Sequence, residues 1–462
     1  MMTARKWLLA LASASLMACA AQTQISPPPS EAPPPTTPIV PAPEEPTSTP
    51  RQSPGNPTPH AANPIQVPVS APPPAATTAS PPAATESFAE WRSAFRVKAI
   101  AAGLSAAFVD SALAGVEPEP RVLELVNNQP EVVAPFWDYV DRVVNERRIA
   151  DGRLRFADQK AVLDRTERSY GVDPRIVAAI WGVETDYGRI KGNFDVVRAL
   201  ATMSFVQKRR RAFFDANLIA ALQIIDDGAQ TRDRLVGSWA GAMGHTQFMP
   251  EVYQRFGADG DQDGRADIWT NAADGLASAA NYLRGHGWRN GEPAVIEARL
   301  PAAFDYARAN GGAIKLGDWR AIGLVPAAGG DFEGSALGLQ ARLLVPAGAE
   351  GPAFLLFENF DVIRRYNNSE KYALSVALLG QAIGGAQALY QEWPRHLRPL
   401  TRAEVQEIQE RLLLLGYDPG VPDGAMGPRT RSAVQSFQGA IGATPDGQPT
   451  PAVLEELRAR TR

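Results

Sequence analysis

Glu184 is the residue best placed for proton transfer. Asp173 and Pro174 predict the start of a helix, because aspartate caps helices and proline fits the first helical position. Residues 176–183 carry no polar side chain, so the helix is expected to be buried nearly all round. Glu184 follows three residues after Trp181 and continues an apolar stripe in the last helical turn. Burial and the negative end of the helix dipole both disfavour a carboxylate, so we expect a raised pKa, as a general acid requires near neutral pH.

This helix offers one acid rather than the pair of a conventional glycosidase. Asp186 is only two residues from Glu184, so its side chain points to another side of the helix and is a poor second carboxylate. Gly188 is predicted to end the helix. The alternative is that Glu184 is a structural residue at the edge of the core, paired with an arginine.

A glycine-rich segment, residues 237–250, predicts a wall against which backbone passes closely. It combines three glycines with apolar residues. Ser238 and Gln247 lie within it as polar groups able to converge on a ligand. On its own the segment indicates a binding site of unspecified kind.

An acidic segment begins at Asp259. Asp259, Asp261 and Asp263 occupy positions 1, 3 and 5 of a loop, with Gly264 at position 6 and the Arg265 carbonyl at position 7. This is the first half of an EF-hand calcium loop, although Thr270 stands where the twelfth-position carboxylate belongs. The alternative is an acidic turn that binds no metal.

Together with Gly-Val-Glu-Thr at 182–185, the glycine-rich segment resembles the lysozyme-like lytic murein transglycosylases of the membrane-bound B type. Two further motifs carry the resemblance, Asn-Tyr-Leu at 281–283 with Gly-His-Gly-Trp at 285–288, and the run Arg-Tyr-Asn-Asn-Ser-Glu-Lys-Tyr at 365–372. The resemblance covers about residues 88–394. It implies a mainly α (α+β) chain, with a lysozyme-like catalytic domain that has a small β part.

The resemblance also implies roles for individual residues. Glu184 matches the single catalytic acid/base, with no cofactor for catalysis. The matches to substrate-binding residues are Ser238, Gln247, Tyr139, Tyr282, Tyr366 and Tyr372. Sugar rings stack on aromatic faces, and sugar hydroxyls need amide or phenol partners. The alternative for any one tyrosine is core packing with a satisfied hydroxyl.

For the acidic loop the resemblance implies a structural calcium ion. The family's loop is longer than an EF-hand loop and is closed by a later aspartate, which Asp274 matches. The implied ligands are Asp259, Asp261, Asp263, the Arg265 carbonyl and Asp274.

The implied reaction is non-hydrolytic cleavage of the β-1,4 bond between N-acetylmuramic acid and N-acetylglucosamine in peptidoglycan. The muramyl C6 hydroxyl attacks C1, giving a 1,6-anhydro product without a second carboxylate. Two alternatives stay open. One is a lysozyme-type hydrolase, and the other is a non-catalytic cell-wall anchor that only binds peptidoglycan.

The C-terminal residues 400–460 predict a three-helix bundle. Thr401 and Glu404 form a capping box at the first helix, Pro428 begins the second and Thr450 caps the third. Pro-Asp-Gly recurs at 422–424 and 445–447, each time as a tight turn before a helix. The pattern resembles the small three-helix peptidoglycan-binding module.

The N-terminus predicts export and anchoring. Residues 1–19 resemble a lipoprotein signal peptide, and Cys19 is then expected to be lipidated, the alternative being an ordinary signal peptide with an incidental cysteine. Residues 20–87 are expected to form a disordered tether, since 21 of the 40 prolines lie between Pro27 and Pro82. The expected location is the periplasmic face of the outer membrane. The catalytic domain is then predicted over 88–396.

Composition excludes several other classes. Lys and Arg number 46 against 50 Asp and Glu, a net charge of −4, which gives no reason to expect nucleic acid as a partner. Cys19 is the sole cysteine, which excludes an intramolecular disulfide and a thiolate zinc site.

Overall fold

In the computed structural model of the chain, the residues described are 86–127 and 135–462, and all of them belong to one compact unit. The predicted signal peptide, Cys19 and nearly all of the predicted tether lie outside the described residues. Glu86 and Ser87 lie inside them. Ser87 caps the first helix, and Glu86 forms ion pairs with Lys208 and Arg211, so the fold begins slightly before residue 88.

The described residues form seventeen α-helices, most of them short and consecutive in the chain. In chain order they are α1 (Phe88–Ala101), α2 (Ala106–Ala112), α3 (Pro120–Asn127), α4 (Phe136–Val143), α5 (Glu146–Asp158), α6 (Lys160–Tyr170), α7 (Pro174–Thr185), α8 (Val196–Val206), α9 (Arg211–Asp226), α10 (Pro250–Phe256), α11 (Ala272–Gly285), α12 (Leu316–Ala321), α13 (Glu358–Tyr366), α14 (Glu370–Ile383), α15 (Arg402–Leu414), α16 (Pro428–Ala440) and α17 (Pro451–Arg460).

Seven short strands complete the regular structure of the described residues. They are β1 (Phe194–Asp195), β2 (Val236–Gly237), β3 (Val295–Arg299), β4 (Ile314–Lys315), β5 (Val325–Pro326), β6 (Gln340–Leu344) and β7 (Ala353–Leu356). Strands β1 and β2 pair with each other, and the other five form an antiparallel sheet in the order β4-β6-β7-β3-β5. The mainly helical fold with a small β part is the predicted fold class, which is confirmed.

Three clusters of buried apolar side chains hold the described residues together. The largest surrounds α7, α8 and α14, the second lies beside the five-stranded sheet, and the third is confined to α15, α16 and α17. The last three helices therefore form a small bundle with its own core, referred to below as the C-terminal module (residues 400–460).

Helix α7 lies at the centre of the largest cluster, packed against α5, α6, α11 and α14. Every residue from Ile176 to Val183 is buried, as the unbroken apolar run predicts. Asp173 caps the helix through a bond from the Arg175 amide, and Pro174 occupies its first turn.

The predicted end of α7 at Gly188 is wrong. The helix ends at Thr185, and both Asp186 (φ 52°) and Tyr187 (φ 60°) adopt the left-handed conformation that usually favours glycine. The Tyr187 hydroxyl donates to the Arg148 carbonyl at 2.8 Å, and its ring fills the space beside Gly182. Long-range contacts of these two side chains offset the backbone cost, and they end the helix early.

Helices α4 and α5 follow each other closely in the chain. The backbone breaks at Val144, and Asn145 caps α5. The Asn145 side chain accepts from the Arg148 amide at 2.9 Å, which is the usual way asparagine starts a new helix.

Candidate active site

Glu184 lies in the last turn of α7 with one side chain bonded to it. The Tyr372 hydroxyl, from α14, donates to Glu184 Oε1 at 2.7 Å. The Glu184 side chain is half-buried, so it is reachable from solvent while most of its surroundings are protein. Burial raises its pKa to about 7, against a smaller lowering by the Tyr372 hydrogen bond. A proton is therefore available on this carboxyl near neutral pH.

Two further tyrosines lie near the same carboxyl. The pKa of Tyr139 is raised to about 12, first by burial and then by the negative charge of Glu184. The pKa values of Tyr366 and Tyr372 are raised well above 10 by the same two causes in the same order. The structure thus brings Tyr139, Tyr366 and Tyr372 together around Glu184. No ion pair to Glu184 occurs within residues 86–127 and 135–462, so the arginine-paired alternative does not describe this residue.

Asp186 points away from this site into a group of arginines. Its carboxylate accepts hydrogen bonds from Arg147 and Arg189 and lies 3.6 Å from Nε of the buried Arg148. Burial would raise the pKa of Asp186, but the hydrogen bonds from Arg147 and Arg189 outweigh it, and the pKa is lowered. Asp186 is therefore an ionised structural carboxylate and does not form a catalytic pair with Glu184.

The glycine-rich segment begins at β2, which pairs with β1, and continues through bridges from Met243 to Gly237 and Phe248. Backbone passes where a side chain would otherwise lie. A Cβ on Gly237 would come within 2.1 Å of the Ala242 carbonyl oxygen, and one on Gly244 within 2.5 Å of the Ile268 carbonyl oxygen. The predicted close backbone approach is confirmed at these two positions.

The side chains of Ser238 and Gln247 both bond to backbone groups, Ser238 within this segment and Gln247 both within it and at Lys191. The Ser238 hydroxyl accepts from the Ala242 amide at 3.0 Å. Gln247 adopts a left-handed backbone (φ 52°), and its side-chain amide donates to the carbonyls of Lys191 and Gly244. No hydrogen bond joins either residue to Glu184 within the described parts of the chain. Their expected role toward substrate stays a prediction.

Tyr282 differs from the other three tyrosines. It is buried, its hydroxyl donates to the Arg365 carbonyl at 2.5 Å, and its ring stacks on His286 with centroids 4.0 Å apart. It also contacts the ring of Tyr366, whose hydroxyl donates to the Thr246 carbonyl at 2.6 Å. Tyr282 thus packs against Tyr366, and its expected role toward substrate stays a prediction.

The acidic loop brings three of its predicted ligands together. One ligand atom each of Asp259, Asp261 and Asp263 lies within 4.8 Å of the other two, which suits a single cation. The Arg265 amide donates to Asp263 Oδ1 at 2.9 Å, so the predicted carbonyl ligand lies in the same turn.

Asp274 lies outside that cluster of three. It is fully buried, its Oδ1 accepts from the Gly260 amide at 2.8 Å and its Oδ2 from the Asp267 amide at 2.7 Å. Each oxygen therefore accepts one hydrogen bond from the loop backbone, and the expected role of Asp274 as a further ligand stays a prediction.

His245 is a site residue that sequence reasoning missed. Its Nδ1 accepts from the Trp181 indole at 3.0 Å, and its carbonyl accepts from the Thr185 hydroxyl at 2.6 Å, so it is bonded to α7 on both sides of Glu184. Burial, and then the charge of Lys191, lower its pKa to about 4, which keeps the ring neutral. Its place in the glycine-rich segment was the only available signal, because the contacts with α7 span 60 and 64 positions.

A helical fold with one protonatable acid among tyrosines suits a lysozyme-like enzyme that cleaves glycans. Comparison with known proteins narrows the class. Residues 87–381 match the family model of the transglycosylase SLT domain, and residues 401–457 match that of a peptidoglycan binding domain. Membrane-bound lytic murein transglycosylase B of Escherichia coli (strain K12) is 33% identical over 282 residues, covering 58% of this chain and 74% of that protein.

Two solved structures are similar as well. The crystal structure of SltB3 from Pseudomonas aeruginosa in complex with NAG-anhNAM-pentapeptide matches with a TM-score of 0.75 and 43% identity, covering 81% of this chain and all of that one. The Escherichia coli lytic transglycosylase Slt35 in complex with calcium matches with a TM-score of 0.55 and 30% identity, covering 64% of this chain and 94% of that one.

The chain therefore belongs to the SLT family of peptidoglycan lytic transglycosylases. The enzyme class predicted from the sequence motifs is confirmed, and so is the presence of a C-terminal peptidoglycan-binding domain. No helix within the described residues is long and apolar enough to cross a membrane.

Proposed function

We propose that Glu184 carries out the whole reaction as a single acid/base, cleaving the β-1,4 bond between N-acetylmuramic acid and N-acetylglucosamine without water. The observation that carries the proposal is the contrast at the end of α7, where Glu184 has a pKa of about 7 and Asp186 is held ionised by arginines. One carboxyl that exchanges a proton near neutral pH suits a reaction that uses the same group twice.

The steps follow from that carboxyl. Protonated Glu184 donates its proton to the departing glycosidic oxygen as the bond to C1 breaks. The carboxylate so formed accepts the proton of the muramyl C6 hydroxyl as that oxygen bonds to C1. The Tyr372 hydroxyl, 2.7 Å from Oε1, stabilises Glu184 while it is charged. The products are a 1,6-anhydromuramyl end and a free N-acetylglucosamine hydroxyl, and Glu184 ends protonated.

Substrate contacts are proposed for the residues near this carboxyl. Tyr139 and Tyr366 offer aromatic faces and hydroxyls beside Glu184, and Ser238 and Gln247 offer polar groups from the glycine-rich segment. Tyr282 acts by supporting Tyr366. The complex of SltB3 with an anhydro-muropeptide supports this choice of product.

Mass analysis of products from purified peptidoglycan tests the proposal. Anhydro ends are expected on every fragment, and their mass is lower by one water than that of reducing ends. Reducing ends would identify a lysozyme-type hydrolase. Release of no fragments at all would indicate a non-catalytic anchor that only binds peptidoglycan.

Calcium is proposed as a structural ion at the acidic loop. Asp259, Asp261 and Asp263 would hold it with the Arg265 carbonyl, and Asp274, which also bonds to the loop backbone, would be a further ligand. The calcium complex of Slt35 supports the proposal. Millimolar calcium should raise the melting temperature by ligand linkage, and Asp263→Ala should remove that rise while leaving substantial activity. A melting temperature of the wild type that ignores both calcium and chelator would contradict the assignment.

Anchoring at the periplasmic face of the outer membrane is proposed through a lipid on Cys19. The proposed organisation is a signal peptide (1–19), a tether (20–87), a catalytic domain (88–396) and a peptidoglycan-binding module (400–460). The name of the membrane-bound relative supports membrane attachment. Cys19→Ser is expected to move the protein to the soluble periplasmic fraction, and a variant that stays wholly with membranes would contradict lipid anchoring.

A further inference from the structure

The C-terminal module contains the same turn twice. In the first turn, Pro-Asp-Gly at 422–424, Gln409 Nε2 donates to Asp423 Oδ1 at 3.2 Å and Gln409 Oε1 accepts from the Gly424 amide at 2.8 Å. In the second turn, Pro-Asp-Gly at 445–447, Gln438 makes both bonds again, to Asp446 Oδ1 at 2.8 Å and from the Gly447 amide at 2.8 Å. In each copy, a glutamine on the preceding helix and an aspartate Oδ1 fix the turn.

The two turns differ at the second oxygen of the aspartate. Asp446 Oδ2 accepts from the backbone amide of Ala349 at 2.9 Å, in the short 3₁₀ helix Gly348–Glu350 that follows β6. Asp423 is exposed, and its Oδ2 accepts no hydrogen bond from the described residues. The second turn therefore faces the catalytic domain, and the first faces solvent.

The catalytic domain is shaped to receive the second turn. Gly348 has φ +66°, and a Cβ there would lie 2.4 Å from Asp446 Oδ2 and 2.7 Å from the Gln448 Cβ. Only glycine lets the module approach this closely. The close fit therefore depends on a residue of the catalytic domain as well as on the module.

A further contact and an electrostatic interaction extend the same face along α16. Asn310 Nδ2 donates to Gln435 Oε1 at 3.2 Å. Arg431 is half-buried, which lowers its pKa, while the charge of Glu370 at the start of α14 opposes that lowering. Since α14 also carries Tyr372, this electrostatic interaction links the module to the helix that bonds to Glu184.

We propose that the second turn is a latch that holds the C-terminal module in one orientation on residues 348–350 of the catalytic domain. The first turn is the unlatched copy and keeps its outer face free. A module fixed in this way holds any bound glycan strand at a set distance from Glu184, whereas a module on a loose linker presents it over a range of positions. The latch requires no glycan, so it stands or falls independently of the proposed reaction.

Asp446→Asn and Asp423→Asn form a matched pair that tests the latch. In both variants the asparagine side-chain oxygen can take the place of Oδ1 and keep the two hydrogen bonds that Oδ1 accepts. The reversed orientation of the amide is unfavourable, because it would point the NH₂ group at those two hydrogen-bond donors. At position 446 the new NH₂ group then faces the Ala349 N–H, so the latch bond is lost. At position 423 the same group faces solvent.

Hydrogen exchange of the whole mature chain gives the readout. Asp446→Asn should speed exchange in the peptide covering residues 345–352 at least fivefold and speed tryptic cleavage between residues 395 and 403, whereas Asp423→Asn should match the wild type in both. Wild-type exchange in Asp446→Asn would overturn the proposal. Equal acceleration in both variants would overturn it too, because the effect would then come from the turn itself.

Gly348→Ala tests the latch from the other side. It leaves the module untouched, but the added methyl group would collide with Asp446 Oδ2. It should accelerate tryptic cleavage between residues 395 and 403 as Asp446→Asn does, and combining the two variants should add little. Wild-type cleavage of Gly348→Ala would contradict the close fit.

Discussion

The C-terminal end of α7 carries two carboxyl groups, Glu184 and Asp186, whose pKa values are shifted in opposite directions. On one side, Glu184 is surrounded by tyrosines with no cation bonded to it among the described residues, and its pKa is raised to about 7. On the other side, Asp186 is also buried, but it is bonded to arginines and its pKa is lowered. Burial alone therefore does not decide whether a carboxyl keeps its proton. The neighbouring side chains decide whether the proton is kept. Two carboxyl groups only two residues apart can therefore differ, one being an acid and the other a structural anion.

The largest effect is expected from replacing Glu184, the carboxyl with the raised pKa. Glu184→Gln keeps the shape of the side chain and can still accept the Tyr372 hydrogen bond. It cannot donate a proton to the glycosidic oxygen or later accept one from the C6 hydroxyl. Loss of both transfers should lower turnover by more than the ~10²–10⁴-fold typical of one proton transfer.

Release of anhydro-muropeptides measures that loss, with sedimentation on insoluble peptidoglycan as the control for binding. Binding should be retained. Activity within tenfold of the wild type would contradict the single-acid mechanism.

The next prediction concerns Asp186, the carboxylate that is bonded to arginines. Asp186→Asn removes the charge that Arg148 has within 3.6 Å, and Arg148 is buried with an Nε that has no hydrogen-bond acceptor in the described structure. We expect a loss of stability of about 1–3 kcal/mol, since the more exposed Arg147 and Arg189 are partly screened by solvent. Turnover per folded molecule should stay within a few-fold of the wild type.

Asp151→Asn is the matched control for this prediction. Asp151 pairs with the same Arg147 and Arg189, but it is more exposed and makes no ion pair with Arg148. Its substitution should cost less than about 1 kcal/mol. Thermal unfolding of both variants measures the difference. A dead but fully stable Asp186→Asn enzyme would contradict the assignment of Asp186 as structural.

The sequence predicts the position of Glu184 better than it predicts the helix end at Asp186, for a physical reason. The buried run from Ile176 to Val183 places Glu184 at the core edge without reference to the rest of the chain. The left-handed end at Asp186 depends on Arg147 and Arg148, which lie on α5 and about forty residues away. No local pattern around Asp186 indicates those partners, so the helix was expected to continue to Gly188.

Elsewhere in the chain, too, local interactions are predictable from the sequence and contacts between distant segments are not. The capping box of Thr401 and Glu404 is confirmed with both of its hydrogen bonds, because it needs only residues three apart. The acidic loop brings Asp259, Asp261 and Asp263 together for the same reason. Contacts between distant segments, such as His245 with Trp181, follow from packing and had no sequence signal of their own.

A further prediction concerns the pH dependence of stability on the two sides of this helix end. The pKa of Glu184 is raised from the ordinary 4.5 to about 7, so between those values the folded chain keeps a proton that the unfolded chain releases. The stability that this proton gives is complete below pH 4.5 and is lost as pH rises through 7. Glu184→Gln has no such loss, so its advantage over the wild type should grow from pH 4.5 to pH 8, by about 2–3 kcal/mol at most.

Asp186→Asn should show the opposite dependence. Because the pKa of Asp186 is lowered from the ordinary 3.8, its stabilising contribution is complete above that value and is lost only as pH falls further. The deficit of Asp186→Asn should therefore be constant from pH 5 to pH 8 and shrink only in acid. Denaturant unfolding of the wild type and both variants across this range measures the two slopes. A Glu184→Gln advantage that does not change between pH 5 and pH 8 would mean that Glu184 is ionised throughout, and it would remove the proton that the proposed mechanism uses first.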